Sequence, residues 1–471
     1  MSQPQNPFAA SSRAPGQRGA LAGLALTMLL ASLSISSANI ALPTLSAAFA
    51  APFAAVQWVV LAYLLSSTAL VVGAGRIGDL FGRRRVLRLG LLLFTAASLL
   101  SAAAPGLGWL IAARAAQGVG GAMMMALALA LAGAAVPKER LGRAMGMLGT
   151  MSAAGTALGP SVGGLLISAL GWQAVFLAPV PLSAVALVLT HRVPADRRAS
   201  AEHPGFDGLG TLLLAVALAA YALAMTRSAG LEVGLLLGVA AVTGAGFVAV
   251  ERRAAAPLLK LSLLRDRELS TGLLMIGLVS TVMMATLIVG PFHLSRALGL
   301  DAATVGLLVA AGPLVVALTA APAGRLTDRL GARPTMLMGL LVMLAGTVAL
   351  SIAPLRFGWA GYVVPLTVVT AGYALFQTAN NSAIMAGADP ARRGLISGLL
   401  HLARNLGLVT GTAAMGGLFL RATGAADLNA ASPAALAHAT AVTFAAAAGV
   451  VGATLAILLA GRAAASRRAT V

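Results

Sequence analysis

The sequence predicts an all-α membrane protein with fourteen transmembrane helices, arranged as two six-helix bundles with two extra helices between them. Three observations support this prediction. The 471-residue chain is 59% hydrophobic and only 10% charged, with a mean hydropathy of +0.93, whereas soluble domains carry about 25% charged residues. A charged loop occurs twice along the chain, and the basic residues lie almost entirely on one side of the predicted spans.

The spans follow from the length of the apolar segments, because about 20 apolar residues cross a bilayer core of about 30 Å. The first span is too long for a signal-peptide core and is predicted to be retained. Residues 1–19 before it are polar and are predicted to form a disordered cytoplasmic tail. The fourteen predicted spans are 20–43, 55–75, 86–104, 107–134, 141–168, 172–190, 207–226, 231–250, 269–292, 301–323, 333–353, 358–385, 394–420 and 435–461.

The repeated loop divides the chain into two halves. The segment GRIGDLFGRRR starts at Gly75 and GRLTDRLGARP starts at Gly324, and five of their eleven positions are identical. The first copy lies between spans two and three, and the second lies between spans ten and eleven. Such internal duplication is typical of secondary transporters. We therefore predict an N-terminal bundle at 20–190, two inserted helices at 207–250 and a C-terminal bundle at 269–461.

The distribution of basic residues sets the predicted sidedness. Of the 32 Lys and Arg residues, 26 lie in segments on one side of the predicted spans, and two lie inside spans. The remaining four, Arg227, Arg296, Arg356 and Arg421, lie on the other side. By the positive-inside rule, both termini are predicted to be cytoplasmic. This placement argues against nucleic acid as the partner of a chain with a net charge of +19.

Several kinds of chemistry lack their sequence signals. The chain has no cysteine, neither lysine belongs to a phosphate-binding GxxxxGK[ST] loop, and no HExxH or clustered metal-ligand pattern occurs. We therefore expect no enzyme activity, no cofactor and no metal.

The repeated loop is a candidate gate. Gly75 and Gly82 permit tight turns, and Asp79 can accept hydrogen bonds from helix ends or pair with a nearby arginine. Such a pair can hold one conformational state and release in the other, although a solvated basic loop that only sets topology is the alternative. The predicted gating residues are Gly75, Asp79, Gly82, Arg83, Gly324, Asp328 and Gly331.

The fifth span is a candidate hinge. Gly155, Gly159 and Gly163 are spaced by four residues and share one helix face, which lets another backbone approach closely. Pro160 removes a hydrogen bond and should bend the helix. With Gly164, these residues are predicted to form a hinge and sliding face between the halves; generic tight packing is the alternative.

Polar side chains inside the spans are candidates for substrate binding or coupling. Arg114 and Arg404 must face a cavity or a partner, because a charge near mid-bilayer costs about 2.5–3.5 kcal/mol. Gln117 and His401 share their helix faces, and His401 is the only deep side chain expected to titrate near neutral pH. A bracing role for the arginines, and simple packing for the histidine, remain open. Asn39, Gln377 and Asn381 complete the predicted set.

Four segments resemble motifs of one family. GRIGDLFGRRR resembles the loop signature of the major facilitator superfamily, RAAQGVGGA (Arg114 to Ala122) its fourth-helix motif, and GTALGPSVGG (Gly155 to Gly164) its antiporter motif. QWVVLAYLL, from Gln57, resembles the start of its second helix. The resemblance covers nearly the whole chain and is closest to the fourteen-helix drug:proton antiporter branch, which implies a rocking two-bundle transporter.

One departure affects the expected mechanism. In that branch the first helix carries an aspartate three places ahead of a segment like SANIALP, and Ser34 occupies this position here. All 13 acidic residues fall in loops or at span ends. The resemblance implies export of small amphipathic organic compounds, with His401 or a loop carboxylate replacing the missing aspartate. The alternative is an organic-anion transporter that uses Arg114 and Arg404 without proton coupling. In either case, we expect a monomer in a bacterial cytoplasmic membrane.

Overall fold

The computed structural model describes residues 15–135, 141–191, 207–227, 230–254, 261–386, 393–425, 428 and 431–469, and these residues are almost entirely helical. Thirteen of the described helical segments are long and apolar enough to cross a membrane. The one remaining predicted span, 394–420, corresponds to a helical run from Arg393 to Ala422. Its 30 residues reach about 45 Å, but Arg404, Asn405 and His401 lower its hydropathy. The all-α, fourteen-helix prediction is confirmed.

The N-terminal bundle contains six spans, two of which are broken near the face opposite to the basic loops. Gln57 interrupts the second span, and Pro179 starts a new helix within the sixth. The helices are α1 (Pro15–Ala48), α2 (Phe53–Val56), α3 (Trp58–Phe81), α4 (Arg83–Ala102), α5 (Leu107–Ala135), α6 (Leu141–Leu170), α7 (Gln173–Leu177) and α8 (Pro179–Thr190).

The first helix begins earlier than predicted. Residues 1–14 of the predicted tail lie outside the described residues, but residues 15–19 are already helical. Pro15 explains this start, because proline has no N–H to lose in the first helical turn and its φ is fixed near the helical value.

Two helices, α9 (Gly208–Thr226) and α10 (Leu231–Arg253), connect the bundles. The Asp207 carboxylate caps α9 by accepting a 2.8 Å hydrogen bond from the Gly210 N–H. Helix α10 packs mainly on α9, and Phe247 and Glu251 are its buried residues. Leu231 and Val242 of α10 are more than two-thirds exposed. A helix that is apolar on every side but packs on one neighbour is suited to face lipid.

The C-terminal bundle has six spans, and two of them contain a π turn. These turns are His293–Ala297, which follows α11, and Gly411–Met415, which joins α15 to α16. A 3₁₀ turn at Leu261–Arg265 precedes α11. The helices are α11 (Arg267–Phe292), α12 (Ala302–Leu330), α13 (Ala332–Ile352), α14 (Pro354–Ala386), α15 (Arg393–Thr410), α16 (Gly416–Ala422) and α17 (Pro433–Ala469).

The packing of the first bundle repeats in the second. The pairs α1–α6, α3–α5, α4–α5 and α4–α8 have the counterparts α11–α15, α12–α14, α13–α14 and α13–α17. Both copies of the repeated loop turn at a glycine with positive φ, +93° at Gly82 and +87° at Gly331. The equivalent helix crossings also pack glycine against glycine, Gly90 on Gly120 and Gly339 on Gly372. The duplication in the sequence is therefore a duplication of structure.

A matching arginine fixes the last helix of each bundle. Arg84 donates a 2.6 Å hydrogen bond to the His191 carbonyl at the end of α8. Its counterpart Arg333 donates a 3.0 Å bond to the Leu458 carbonyl near the basic end of α17. A guanidinium suits both contacts because it is a donor, and a backbone carbonyl has a second lone pair to accept it. The repeated arginine thus has the same structural role twice.

Candidate functional site

The two bundles meet along three helix pairs: α6 with α12, α3 with α15, and α1 with α11. At the α6–α12 crossing, Gly164 lies so close to α12 that a Cβ added to it would come within 2.9 Å of the Gly306 Cα. The first two pairs are related by the duplication, since α12 corresponds to α3 and α15 to α6. The interface between the bundles is therefore built from equivalent helices.

Aromatic side chains join the bundles at the face opposite to the basic loops. Phe53 is fully buried and packs edge-on against Phe292, with ring centroids 4.9 Å apart, and against Phe419 at 6.3 Å. Beside this cluster, Arg296 donates a 3.4 Å hydrogen bond to the Pro43 carbonyl of α1. Residues of both bundles, among them Thr44 and Leu300, line a neighbouring cavity of about 300 Å³. This face is closed by direct contact between the halves.

The glycine face of α6 packs differently from the prediction. Gly155 and Gly159 lie against α1 at Leu29 and Ser36, and Gly163 lies 3.2 Å from the Ser37 Cβ when its own Cβ is added. These three glycines therefore pack within the N-terminal bundle, which corrects the expectation that they face the other half. The physical reason is that a stripe of glycines allows any neighbouring helix to pack closely, so it does not specify which helix does so. Here the neighbouring helix is α1. Gly164 is the residue of the motif that contacts α12, and Pro160 supplies a carbonyl beside Gly306.

Arg114 is the most buried charged group of the described residues, with no exposed surface. Its Nε donates to the Val59 carbonyl at 3.0 Å, and its Nη2 donates to the Ser34 carbonyl at 3.4 Å. Its Nη1 donates to the Ser34 hydroxyl at 2.9 Å and to the Gln117 Oε1. The Tyr63 ring lies 4.5 Å from the guanidinium carbon.

This network uses four of the five N–H groups of Arg114. Gln117 extends it with a 2.7 Å hydrogen bond to the Ser98 hydroxyl of α4. The guanidinium thus links α1, α3 and α5, and through Gln117 it also reaches α4. A bracing role accounts for these contacts, and Arg114 presents no free surface to a ligand in this conformation.

The polar residues of α14 and α15 are more accessible. Gln377 donates a 2.9 Å hydrogen bond to the Tyr373 hydroxyl, and Asn381 is half-buried. The His401 Nε2 lies 3.4 Å from the Asn405 amide nitrogen. Arg404 is half-buried and its buried Nε has no hydrogen-bond partner among the described residues. No hydrogen bond joins the α14 group to the α15 group within the described chain.

Three further polar atoms on the contacting helices are buried without a partner in the described structure: Asn39 Oδ1, Gln57 Oε1 and Ser280 Oγ. Asn39 lies on α1, Gln57 precedes α3 and Ser280 lies on α11. Together with Arg404 on α15, they place unsatisfied polar atoms on helices of both bundles. Buried polar groups normally have partners, so these atoms can bind a ligand or exchange partners in another conformation. Sequence analysis did not select Gln57 or Ser280 as site residues, because a single polar residue within an apolar span carries no pattern.

His293 is a second buried histidine that sequence analysis missed. The predicted span ended at residue 292, but the π turn continues the helix, so His401 is not the only deep histidine. The Thr440 hydroxyl donates to the Leu436 carbonyl and therefore accepts from the His293 Nδ1, at 3.1 Å. The His293 Nε2 is buried without a partner among the described residues. The ring stacks on Tyr362, with centroids 5.8 Å apart.

The two loop copies differ in their ion pairs. The Arg83 Nε donates a 2.8 Å hydrogen bond to the Asp79 carboxylate across the Gly82 turn, which is the predicted pairing. Asp328 is exposed and forms no ion pair with the described residues. Gly75 and Gly324 have open space around their Cα atoms, so close helix approach does not explain them. The two loops therefore have equivalent turns, but of the two only the first has an ion pair between its aspartate and a described arginine.

Comparison with known proteins identifies the fold. A family model described as the Major Facilitator Superfamily matches residues 24–412. Multidrug resistance protein Stp of Mycobacterium tuberculosis (strain CDC 1551 / Oshkosh) is 32% identical over 402 residues, covering 84% of this chain and 74% of that protein. Riboflavin transporter RibZ of Clostridioides difficile (strain 630) is 28% identical, covering 84% and 87%.

Solved structures agree with this match at the level of the fold. A bacterial homologue of the human lysosomal transporter Spinster superimposes with a TM-score of 0.70. The alignment covers 96% of this chain and 98% of that one, at 16% sequence identity.

Proposed function

Because the chain belongs to the Major Facilitator Superfamily and is thus a multi-pass membrane transporter of small molecules, we propose that it exports small amphipathic organic compounds by alternating access. The observation that carries this proposal is the interface between the bundles. It is closed by Phe53, Phe292 and Phe419 at one face, and it holds unpartnered polar atoms on the contacting helices. The 32% identity to a multidrug resistance protein supports the drug-like substrate class.

Alternating access needs two packings of similar energy, and the duplicated interface offers them. The α6–α12 and α3–α15 pairs are related by the internal repeat, so rocking of the bundles about these two equivalent contacts would open one face while closing the other. The orphaned atoms Asn39 Oδ1, Ser280 Oγ and Arg404 Nε then bind polar groups of the substrate. Half-buried apolar side chains such as Met283 suit ligands of varied shape.

Proton coupling through His401 is part of the proposal. The position of the missing first-helix aspartate is occupied by Ser34, which accepts a hydrogen bond from Arg114. His401 is half-buried beside Arg404, whereas His293 is fully buried between Thr440 and Tyr362. Of these two histidines, His401 is therefore the one with an accessible side chain, and we assign the proton-carrying role to it.

An organic-anion transporter is the second candidate. Arg404 is a cation inside the α15 span whose Nε lacks a protein partner, and no ion pair with a described acidic residue neutralises it. Arg114 supports this candidate less, because four of its five N–H groups are already bonded. We propose a bacterial cytoplasmic membrane as the location, both termini cytoplasmic and a monomeric transporter, as the charge distribution and the bundle fold favour.

Dye transport in inside-out vesicles tests both the function and the coupling. We expect protein-dependent accumulation of a cationic dye, increased by a pH gradient and abolished by a protonophore. His401→Gln should remove the response to the gradient, while His293→Gln should retain it. Accumulation of anionic but not cationic dyes, without any response to pH, would favour the second candidate. Equal dye movement with and without the protein would contradict both.

A further inference from the structure

Two arginines and a histidine form a compact basic group at the membrane surface of the N-terminal bundle. Arg84 and Arg88 lie one turn apart on α4, and both contact His191 at the end of α8. Arg84 Nη2 bonds to the His191 carbonyl at 2.6 Å, and Arg88 Nη2 lies 2.9 Å from the His191 Nε2. Since a guanidinium can only donate, the His191 Nε2 is the acceptor of the Arg88 contact. These three residues are called the basic triad below.

The triad has N–H donors without hydrogen-bond partners, and no described acidic residue pairs with its arginines. The Nε atoms of Arg84 and Arg88 are both buried without a hydrogen-bond partner in the described chain. The ion pairs of the described residues are Arg83–Asp79 and Arg227–Glu232, so neither triad arginine is neutralised by a described acid. Two adjacent guanidinium groups at this spacing repel each other, and an anion between them would remove both the repulsion and the unsatisfied donors.

An apolar surface continues from the triad toward the membrane centre. Leu92 lies one turn after Arg88 on the same face of α4, and its side chain is 50% exposed. Val188 and Val185 precede His191 along α8, with 65% and 50% exposed. The helices α4 and α8 pack together, so these three residues provide an apolar surface beside the triad, called the apolar seam below. In a membrane this seam contacts lipid chains.

The C-terminal bundle provides an internal contrast. Arg333 occupies the position of Arg84 and makes the same kind of carbonyl contact, with Leu458. The position that corresponds to Arg88 is Leu337, and leucine stands where His191 contributes its ring. The single arginine is sufficient to fix the last helix. Arg88 and the His191 imidazole are therefore additional to that structural role.

We propose that the basic triad binds the phosphate of an anionic phospholipid, whose acyl chain lies along the apolar seam of Leu92, Val185 and Val188. A planar guanidinium matches the oxygens of a phosphate with two parallel hydrogen bonds. Basic pockets between transmembrane helices are suited to lipid headgroups. The adjacent apolar seam favours a lipid over a free phosphate, because an acyl chain can contact the apolar side chains and a free phosphate has no apolar group to do so. The site occurs in the N-terminal bundle and not at the equivalent position of the C-terminal one.

Lipid titration of the purified full-length chain tests this proposal. Binding of dioleoyl-phosphatidylglycerol and of dioleoyl-phosphatidylcholine would be followed by native mass spectrometry in detergent. We expect the tightest bound lipid to be phosphatidylglycerol, and the R84Q/R88Q variant to bind it about tenfold more weakly, as the loss of charge-assisted bonds implies. Water-soluble glycerophosphoglycerol at the same concentration should not displace the lipid.

Two control variants separate the site from general effects. R252Q/R253Q removes an exposed basic pair at the end of α10 and should leave lipid binding unchanged. R333Q removes the equivalent carbonyl contact and should also leave it unchanged. The R84K/R88K variant keeps both charges without the planar forks and should show intermediate affinity while remaining folded. Equal weakening in R84Q/R88Q and R252Q/R253Q, displacement by glycerophosphoglycerol, or no preference for phosphatidylglycerol would overturn the proposal. None of these results depends on transport activity.

Discussion

Arg114 donates a 2.9 Å hydrogen bond to the Ser34 hydroxyl, and both residues are buried in the N-terminal bundle. In the antiporter branch that the sequence resembles, the position of Ser34 carries a carboxylate. The serine therefore preserves a hydrogen bond to the arginine but removes the group that could exchange a proton with it. This single substitution leaves the charge of Arg114 without an acidic partner among the described residues.

Arg114 and Arg404 are predicted to differ in what they contribute. Arg114→Gln removes the guanidinium that links three helices and should lower the free energy of unfolding by about 2–3 kcal/mol. Arg404→Gln removes a group with an unpartnered Nε, so it should leave the melting temperature nearly unchanged while altering substrate preference. Thermal unfolding in detergent and transport of paired cationic and anionic dyes measure the two effects. A larger stability loss for Arg404→Gln would reverse the assignment.

Ser34→Asp is predicted to introduce proton coupling through the first helix. The new carboxylate would lie within hydrogen-bond distance of Arg114, and a buried acid beside a cation can gain and lose a proton as its surroundings change. The ratio of dye transport with and without a pH gradient should rise above that of the wild type. Ser34→Asn is the matched control, because it has the same size and hydrogen-bonding reach but does not titrate. Equal ratios for the two variants would count against the prediction.

Gly164→Val is predicted to separate the bundles at the α6–α12 crossing. An added Cβ would already lie 2.9 Å from the Gly306 Cα, so a larger side chain must push α12 away. Overpacking of this kind costs about 1–3 kcal/mol, and here the cost falls on one conformation. Thiol labelling at Thr44→Cys, which lines the cavity between the halves, should become faster. Gly238→Val is the control, since nothing lies near Gly238, and unchanged labelling in Gly164→Val would disprove the close contact.

Asp79→Asn is predicted to impair transport more than Asp328→Asn. Asp79 pairs with Arg83 across the Gly82 turn, whereas Asp328 is exposed and forms no ion pair with the described residues. A partly exposed ion pair contributes only about 0.2–1 kcal/mol, so the melting temperature should barely move. Initial rates of dye transport in vesicles compare the variants. A similar loss in both would mean that the loops act through their turns and not through this pair.

The spans and the duplication could be predicted from the sequence, because both signals are local. A span is recognised from the hydropathy of about 20 consecutive residues, and the duplication from a match between two short loops. The contact partners could not be predicted. The glycine stripe of α6 predicts a close neighbour but does not specify α1. The buried position of Arg114 predicts that it has a partner. That the partners are the Val59 carbonyl and Ser34 depends on how α3 and α1 are oriented about their axes, which the sequence pattern does not specify.

Residues at the ends of spans were also beyond the reach of hydropathy. His293 lies one residue past the predicted end of its span, since a polar residue lowers the local hydropathy although the π turn keeps the helix in the bundle. Gln57 lies at the break between α2 and α3 and has no patterned neighbours. The basic triad depends on Arg84 and Arg88 meeting the distant His191, which requires the packing of α4 on α8.

The distance between the bundles at each face is the most direct test of alternating access. The chain has no cysteine, so spin labels can be placed without removing native thiols. One pair, Leu80→Cys and Leu330→Cys, reports the face of the basic loops, and the other, Ala103→Cys and Ile352→Cys, reports the opposite face; all four positions are exposed. Double electron–electron resonance should show the two distances changing in opposite directions when substrate or pH is changed. Distances that stay fixed, or move together, in vesicles that transport dye would contradict the account.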